Sequence, residues 1–135
     1  MSRRNSYSGK YTLSKSEFLS AKYYALRYKE WKTEWDTMTD TVRAVTYDGD
    51  MVQGNGSGQP TEQLAIRRAE LTHKIRIIEE TADEADPALN KFILLYVTEE
   101  DMTFEKLKRI SGIPCGKDLF YHVRRKYYYL LAKKI

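Results

Sequence analysis

Apolar residues recur at Ala21, Tyr24, Tyr28, Trp31, Trp35, Met38, Val42 and Val45, in steps that alternate between three and four. A strand cannot gather such a pattern on one face, because its side chains alternate with a period of two. A helix gathers it as one seam, here sustained over more than three heptads. The seam demands a partner: a large apolar side chain left in water forgoes roughly 1.5–3 kcal/mol, and this one carries two Trp. Leu64, Leu71, Ile75, Ile78, Ala82 and Ala85 form a second seam of the same kind. The two are expected to meet as an antiparallel pair within one chain or between two copies. The fold class that follows is all-α: a long antiparallel helical hairpin followed by a C-terminal helix-turn-helix.

Punctuation along the chain divides it further. Residues 1–12 are small, polar and basic, and are expected to form a flexible arm. SKSE at 14–17 is a capping-box signature, with Ser14 accepting from a backbone N–H and Glu17 reaching back. It should open a long amphipathic helix over 13–45. Four Gly between Thr46 and Pro60 predict a flexible linker over 46–60. Thr61 then caps the second seam helix, which opens a helical region over 61–135. Its charge order is inverted: Arg67, Arg68, Lys74 and Arg76 precede Glu79, Glu80, Asp83 and Glu84, against the helix dipole. Charge pairing with the neighbouring helix explains that order most simply.

Asp86-Pro87 reads as a helix restart, with Asp as cap and Pro in the first turn. The segment ALNKFILLYV that follows is apolar almost all round and is expected to be the most buried element. Asp101 or Thr103 caps the next helix, whose apolar face is Phe104, Leu107 and Ile110. Gly112 suits a left-handed backbone, Ile113 plugs the turn, and Pro114 stops the helix from running on. Leu119, Val123, Tyr127 and Leu130 then form the buried face of a last helix. Together residues 103–135 have the outline of a helix-turn-helix, in which the second helix lies in the DNA major groove.

Charge supports that outline. Residues 103–135 carry nine Lys/Arg against two acids, whereas residues 31–102 carry seven against fifteen. A polyanion would therefore meet the ends of the chain and avoid its middle. The expected DNA-contacting face of the last helix is Tyr121, Arg124, Arg125 and Tyr128, with Lys117 and His122 at its N-terminal edge and Lys133 and Lys134 following the phosphate backbone. Arg grips a guanine edge or a phosphate with two hydrogen bonds, and Tyr adds phosphate and methyl contacts.

Other chemistries have little footing. Cys115 has no cysteine partner, His73 and His122 lack ligand spacing, and the glycines of GNGSG lack the lysine of a phosphate loop. Glu79, Glu80, Asp83 and Glu84 share a helix without a histidine at metal spacing. No catalytic set, metal or cofactor is expected. The longest apolar run, Phe92 to Val97, is too short to span a bilayer, and MSRRNSYSG is not the start of a secretory signal. A cytoplasmic protein with no membrane partner is the expectation.

In element order, the chain resembles small phage and prophage late-gene transcription regulators of the RinA and ArpU kind, whose C-terminal helix-turn-helix is like that of sigma-factor region four. The residues carrying the resemblance are the Gly-rich gap, TEQLAIRRAELTHKIRIIEETADEADP at 61–87, and TFEKLKRISGIPCGKDLFYHVRRKYYYLL at 103–131. They cover about 75 residues. From Pro114 to Leu119 the spacing is one step longer than sigma-like turns use. The resemblance implies activation of late phage genes through promoter DNA and RNA polymerase. Other readings are a DNA-packaging protein like a small terminase subunit, which also joins such a motif to oligomerising helices, and a phage protein that inhibits a host nucleoprotein. A homodimer through the Trp31/Trp35 seam would serve the regulator.

Overall fold

The computed structural model describes residues 9–47 and 59–135, with side chains for 9–38 and 61–135. The glycines of the expected linker, the first eight residues of the expected arm, and the side chains of Val42 and Val45 lie outside the described residues. Within them the chain is helical and contains no strand. The helices are α1 (Lys15–Leu26), α2 (Tyr28–Tyr47), α3 (Gln59–Ala85), α4 (Asn90–Val97), α5 (Phe104–Ser111) and α6 (Lys117–Lys134). None is long and apolar enough to cross a membrane.

Local signals set most helix ends. Ser14 Oγ accepts from the Glu17 N–H at 3.1 Å while the Glu17 carboxylate accepts from the Ser14 N–H at 3.0 Å, so both halves of the capping box form. Thr103, not Asp101, caps α5, accepting from the Lys106 N–H at 3.1 Å. Gly112 closes α5 in the left-handed conformation, φ 68° and ψ 33°, and Ile113 beside it is buried. Asp86 caps its turn through hydrogen bonds from the Ala88 and Leu89 N–H groups. Regular helix resumes only at Asn90.

Three expectations are corrected. The helix expected over 13–45 is interrupted: α1 ends at Leu26, and the Arg27 N–H reaches back three residues to the Tyr24 carbonyl at 3.1 Å before α2 begins. That shorter hydrogen bond is the tighter turn typical of helix ends. Helix α3 starts at Gln59, ahead of Thr61, with Pro60 in its first turn, where a missing N–H costs nothing. Helix α4 is not the most buried element. It buries Ile93 and Val97, whereas α6 buries Phe120, Val123, Tyr127, Tyr128 and Leu131.

The described residues form two compact units, one comprising residues up to Tyr28 with Ile77–Ile135, the other Lys29–Arg76. In the second, Trp31 is 2% exposed and the Trp35 indole N–H donates to Thr72 at 3.0 Å. The Arg68 guanidinium lies 4.6 Å from the Trp35 ring centre, and the Lys74 ammonium 5.0 Å from that of Trp31. Arg67 forks onto both oxygens of Glu34 at 2.8 and 2.9 Å and also reaches Glu70. As the residue number rises along α2, that of its partner on α3 tends to fall. The seam tryptophans thus find partners within their own chain, which removes the unmet burial that argued for a dimer. Of the early basic residues of α3, Arg67 pairs with Glu34 of α2 as expected, whereas Arg68 and Lys74 lie against tryptophan rings.

The first unit is built around α6. Helix α1, whose buried residues are Ala21 and Ala25, packs on α6 and α4. Those small side chains let the backbones approach while large rings fill the rest of the core. Phe120 meets Phe104 of α5 and Tyr96 of α4 with ring centres 5.3 and 4.9 Å apart. Tyr127 is fully buried, and its hydroxyl donates to the Ile78 carbonyl at 3.0 Å. Burial raises that phenol well above its ordinary pKa. Tyr28, in the same unit, donates its hydroxyl to Glu79.

Replacing Gly112 by Ala tests the turn. An added Cβ would meet no atom within 4 Å, so the penalty is the left-handed backbone alone, about 1 kcal/mol. Urea denaturation should show a lower midpoint with an unchanged slope.

Candidate nucleic-acid interface

Helix α6 carries every residue assigned to the expected interface, so its packing decides what each can do. The buried face was expected at Leu119, Val123, Tyr127 and Leu130. Val123 and Tyr127 are buried; Leu119 is 42% exposed, and Phe120 and Leu131 occupy the core instead. Ile110 of α5 is a matching correction, 59% exposed where the apolar face was expected. Two α6 patterns fit the same two central residues, and contact with α1, α4 and α5 together selects the one containing Phe120.

Tyr128 changes sides as a result. Expected to face DNA, it is 5% exposed and sits edge-on to Phe18 of α1 at 5.1 Å. Burial pushes its phenol pKa upward. Lys134 is corrected too. Its ammonium binds Thr81 Oγ1 at 2.9 Å and Glu84 at 2.8 Å, which ties the end of α6 to α3. Lys133 is exposed, its ammonium 4.9 Å from the Tyr129 ring centre.

The remaining residues fall into two groups. Lys117 is exposed in the first turn of α6, paired with Glu105 of α5 at 2.8 Å; the side chains are 53% and 65% exposed. The pair raises the lysine pKa and lowers that of the glutamate through their shared hydrogen bond. Water screens such a pair, so it orients more than it stabilises. It also brings the first turns of the two helices together. Around it stand exposed Lys106, Lys108 and Arg109 of α5, basic residues absent from the expected interface although sequence charge marked them. Gly116 begins α6 without a side-chain cap, which leaves early N–H groups of that helix facing outward.

The second group surrounds the middle of α6. Arg124 donates from Nη1 to the Tyr96 hydroxyl at 2.8 Å and lies 4.5 Å from the Tyr121 ring centre. Tyr121 is half-buried, its ring near those of Phe104 and Phe120. Arg125 is half-buried, with Nη1 shut away from solvent and without a hydrogen-bond partner among the described residues. His122 meets the Tyr11 ring at 5.8 Å, and Tyr11 meets Tyr129 at 5.4 Å. The described end of the expected arm is therefore laid against α6. Arg124, Arg125 and Tyr128 line a pocket of about 380 Å³ with Tyr11, Thr12, Leu13 and Phe18. No local sequence signal joins residues 11–18 to residues 124–128, because only tertiary packing brings them together.

Cys115 has its thiol pushed up in pKa, first by burial and then by Asp86, the opposite of what a nucleophilic thiolate needs. Among the described residues no group of three or more His, Cys, Asp or Glu could hold a metal ion. No protein family, curated protein sequence or solved structure matches the chain.

His122 generates a pH prediction. Burial, then Arg125, Lys126 and Lys10, hold its imidazole below the ordinary value of 6.5. The unfolded chain therefore binds this proton more readily than the folded one. Its contribution to stability is present above pH 6.5 and is lost as pH falls below that value through the folded pKa. In thermal melts, His122→Gln should flatten the dependence over that window. An unchanged pH profile would contradict this account of the imidazole.

Proposed function

We propose that this chain is a sequence-specific DNA-binding regulator, of the phage late-gene kind it resembles, built as a helical hairpin followed by a helix-turn-helix. One observation carries the reading: exposed Lys106, Lys108 and Arg109 on α5 and exposed Lys117 on α6 flank in sequence a turn held by left-handed Gly112 and buried Ile113. In a helix-turn-helix the first helix crosses the phosphate backbone and the N-terminal part of the second reads bases. Here α5 is the phosphate-contacting helix. Lys117 and Leu119, exposed in the first turn of α6, are the residues assigned to base edges, with Leu119 suited to a thymine methyl. Tyr128 and Lys134 drop out of the interface, since one is core and the other is tied to Glu84.

The basic group outnumbers the acids beside it, Glu105 and Asp118, and one of those is already paired with Lys117. The acidic middle of the chain repels a polyanion and is left to a protein partner such as RNA polymerase. Activation of transcription through that contact is part of the proposal.

Fluorescence anisotropy against duplex fragments, between about 50 and 200 mM salt, tests it. One fragment should hold the protein at the higher salt while unrelated duplexes release it. Three phosphate contacts would give a log–log salt slope of about −2.7, and replacing Lys106, Lys108 and Arg109 by Ala should remove most of that slope. Absence of duplex binding at the lowest salt would overturn the reading.

A further inference from the structure

The pocket beside the middle of α6 takes no part in the DNA contacts just proposed. At about 380 Å³ it falls within the range of small-molecule sites. Its walls are the rings of Tyr11, Phe18 and Tyr128 with the side chain of Leu13, and its polar groups are Thr12, Arg124 and Arg125. The lining holds two guanidinium groups and no carboxylate. Phe18 and Tyr128, set at 83° to one another, make a firm aromatic corner.

The two arginines are not equivalent. Arg124 spends a donor on the Tyr96 hydroxyl and rests on the Tyr121 ring. Arg125 also lines the pocket; its Nη1 is closed off from it, so a ligand would meet the rest of the guanidinium fork. Two further cations stand at the Tyr11 side, the Lys10 and Lys126 ammoniums, 5.6 and 5.9 Å from its ring centre. The local field therefore selects against a cation and for an anion.

We propose that this pocket binds a small aromatic anion, its flat ring held among Tyr11, Phe18 and Tyr128 and its carboxylate or phosphate held by Arg125. Such a ligand joins residues 11–18 to α6, so the site is suited to an effector sensed where the N-terminal segment meets the central helix. A free small molecule and an unstacked nucleotide of a single strand share this chemistry.

Isothermal titration of the full chain with 1-naphthyl phosphate tests the site. Saturable one-to-one binding is expected, with 1-naphthol and inorganic phosphate each about tenfold weaker or worse, because each supplies only half of the recognition. Arg125→Met should weaken naphthyl phosphate about tenfold while leaving 1-naphthol unchanged. Thr12→Trp fills the pocket from an exposed position and should abolish binding of both, which keeps the test intact if the arginine variant fails to fold. Comparison of thymidine 5′-phosphate with a short 5′-phosphorylated single strand identifies the source: tighter binding of the strand, lost in Thr12→Trp, assigns the nucleotide of a strand, and otherwise the free molecule is assigned. No saturable naphthyl phosphate binding, inorganic phosphate binding as tightly, or full affinity in Thr12→Trp would each overturn the proposal. The readouts use no duplex DNA, so they stand apart from the reading of α5 and the start of α6.

Discussion

A buried tyrosine hydroxyl has to find an acceptor, since leaving it unpaired costs about 1–3 kcal/mol. Tyr127 finds one in the Ile78 carbonyl, across 49 residues of sequence. That hydrogen bond joins the middle of α6 to α3, and the contacts around it follow from placing α6 at the centre. Thr81, also fully buried, repeats the solution one turn further on. It donates to the Ile77 carbonyl and accepts from the Lys134 ammonium. Glu84 then shares that ammonium. Three links in succession lock the C-terminal half of α6 onto α3, and this half is accordingly structural.

A helix packed on several sides has few positions left for recognition. In α6 they lie at the first turn, where Lys117, Asp118 and Leu119 are exposed, and at the last residues. Of the basic residues between them, Arg124 and Lys126 are spent on the protein's own aromatic groups. Arg124 serves Tyr96 and Tyr121, and Lys126 lies over Tyr11. The tyrosine excess of the chain has a physical explanation here. A Tyr ring fills a thin helical core, and its face or hydroxyl still engages a neighbouring cation, and its hydroxyl a backbone carbonyl or carboxylate. Tyr28, Tyr96 and Tyr127 each use the hydroxyl in this way.

Burial of α6 also divides the two proposed activities in space. The first site carries exposed basic residues on α5 and the start of α6 and is proposed to meet a polymer of phosphates. The pocket at its middle is a concave aromatic site suited to one small anion. The two share helix α6, which gives a physical route by which occupancy of one would bias the other.

How much of this was legible depends on the range of the interaction involved. The capping box at Ser14, the Thr103 cap, the left-handed Gly112 and the Asp86 turn each depend on hydrogen bonds or dihedrals within about four residues, and the sequence displays them directly, although the helix expected from Pro87 begins only at Asn90. The helical class and the separation of basic ends from an acidic middle are equally local properties. The Trp seam was visible as a demand for burial by the second seam helix, but not whether that helix would come from the same chain or a second copy. The buried face of α6 was misread by one position, at Leu119 instead of Phe120, because two helical patterns share Val123 and Tyr127. Local periodicity does not distinguish them. Contact with α1 and Phe18, more than a hundred residues earlier, buries Tyr128 and places Arg125 beside Tyr11. By itself the sequence determined the caps at Ser14 and Thr103, the turn at Gly112 and where charge accumulates, since those are set by neighbours along the chain. Only the tertiary structure decided which faces of α6 are core, which arginines are engaged and where a pocket opens, since those are set by residues that meet through folding alone.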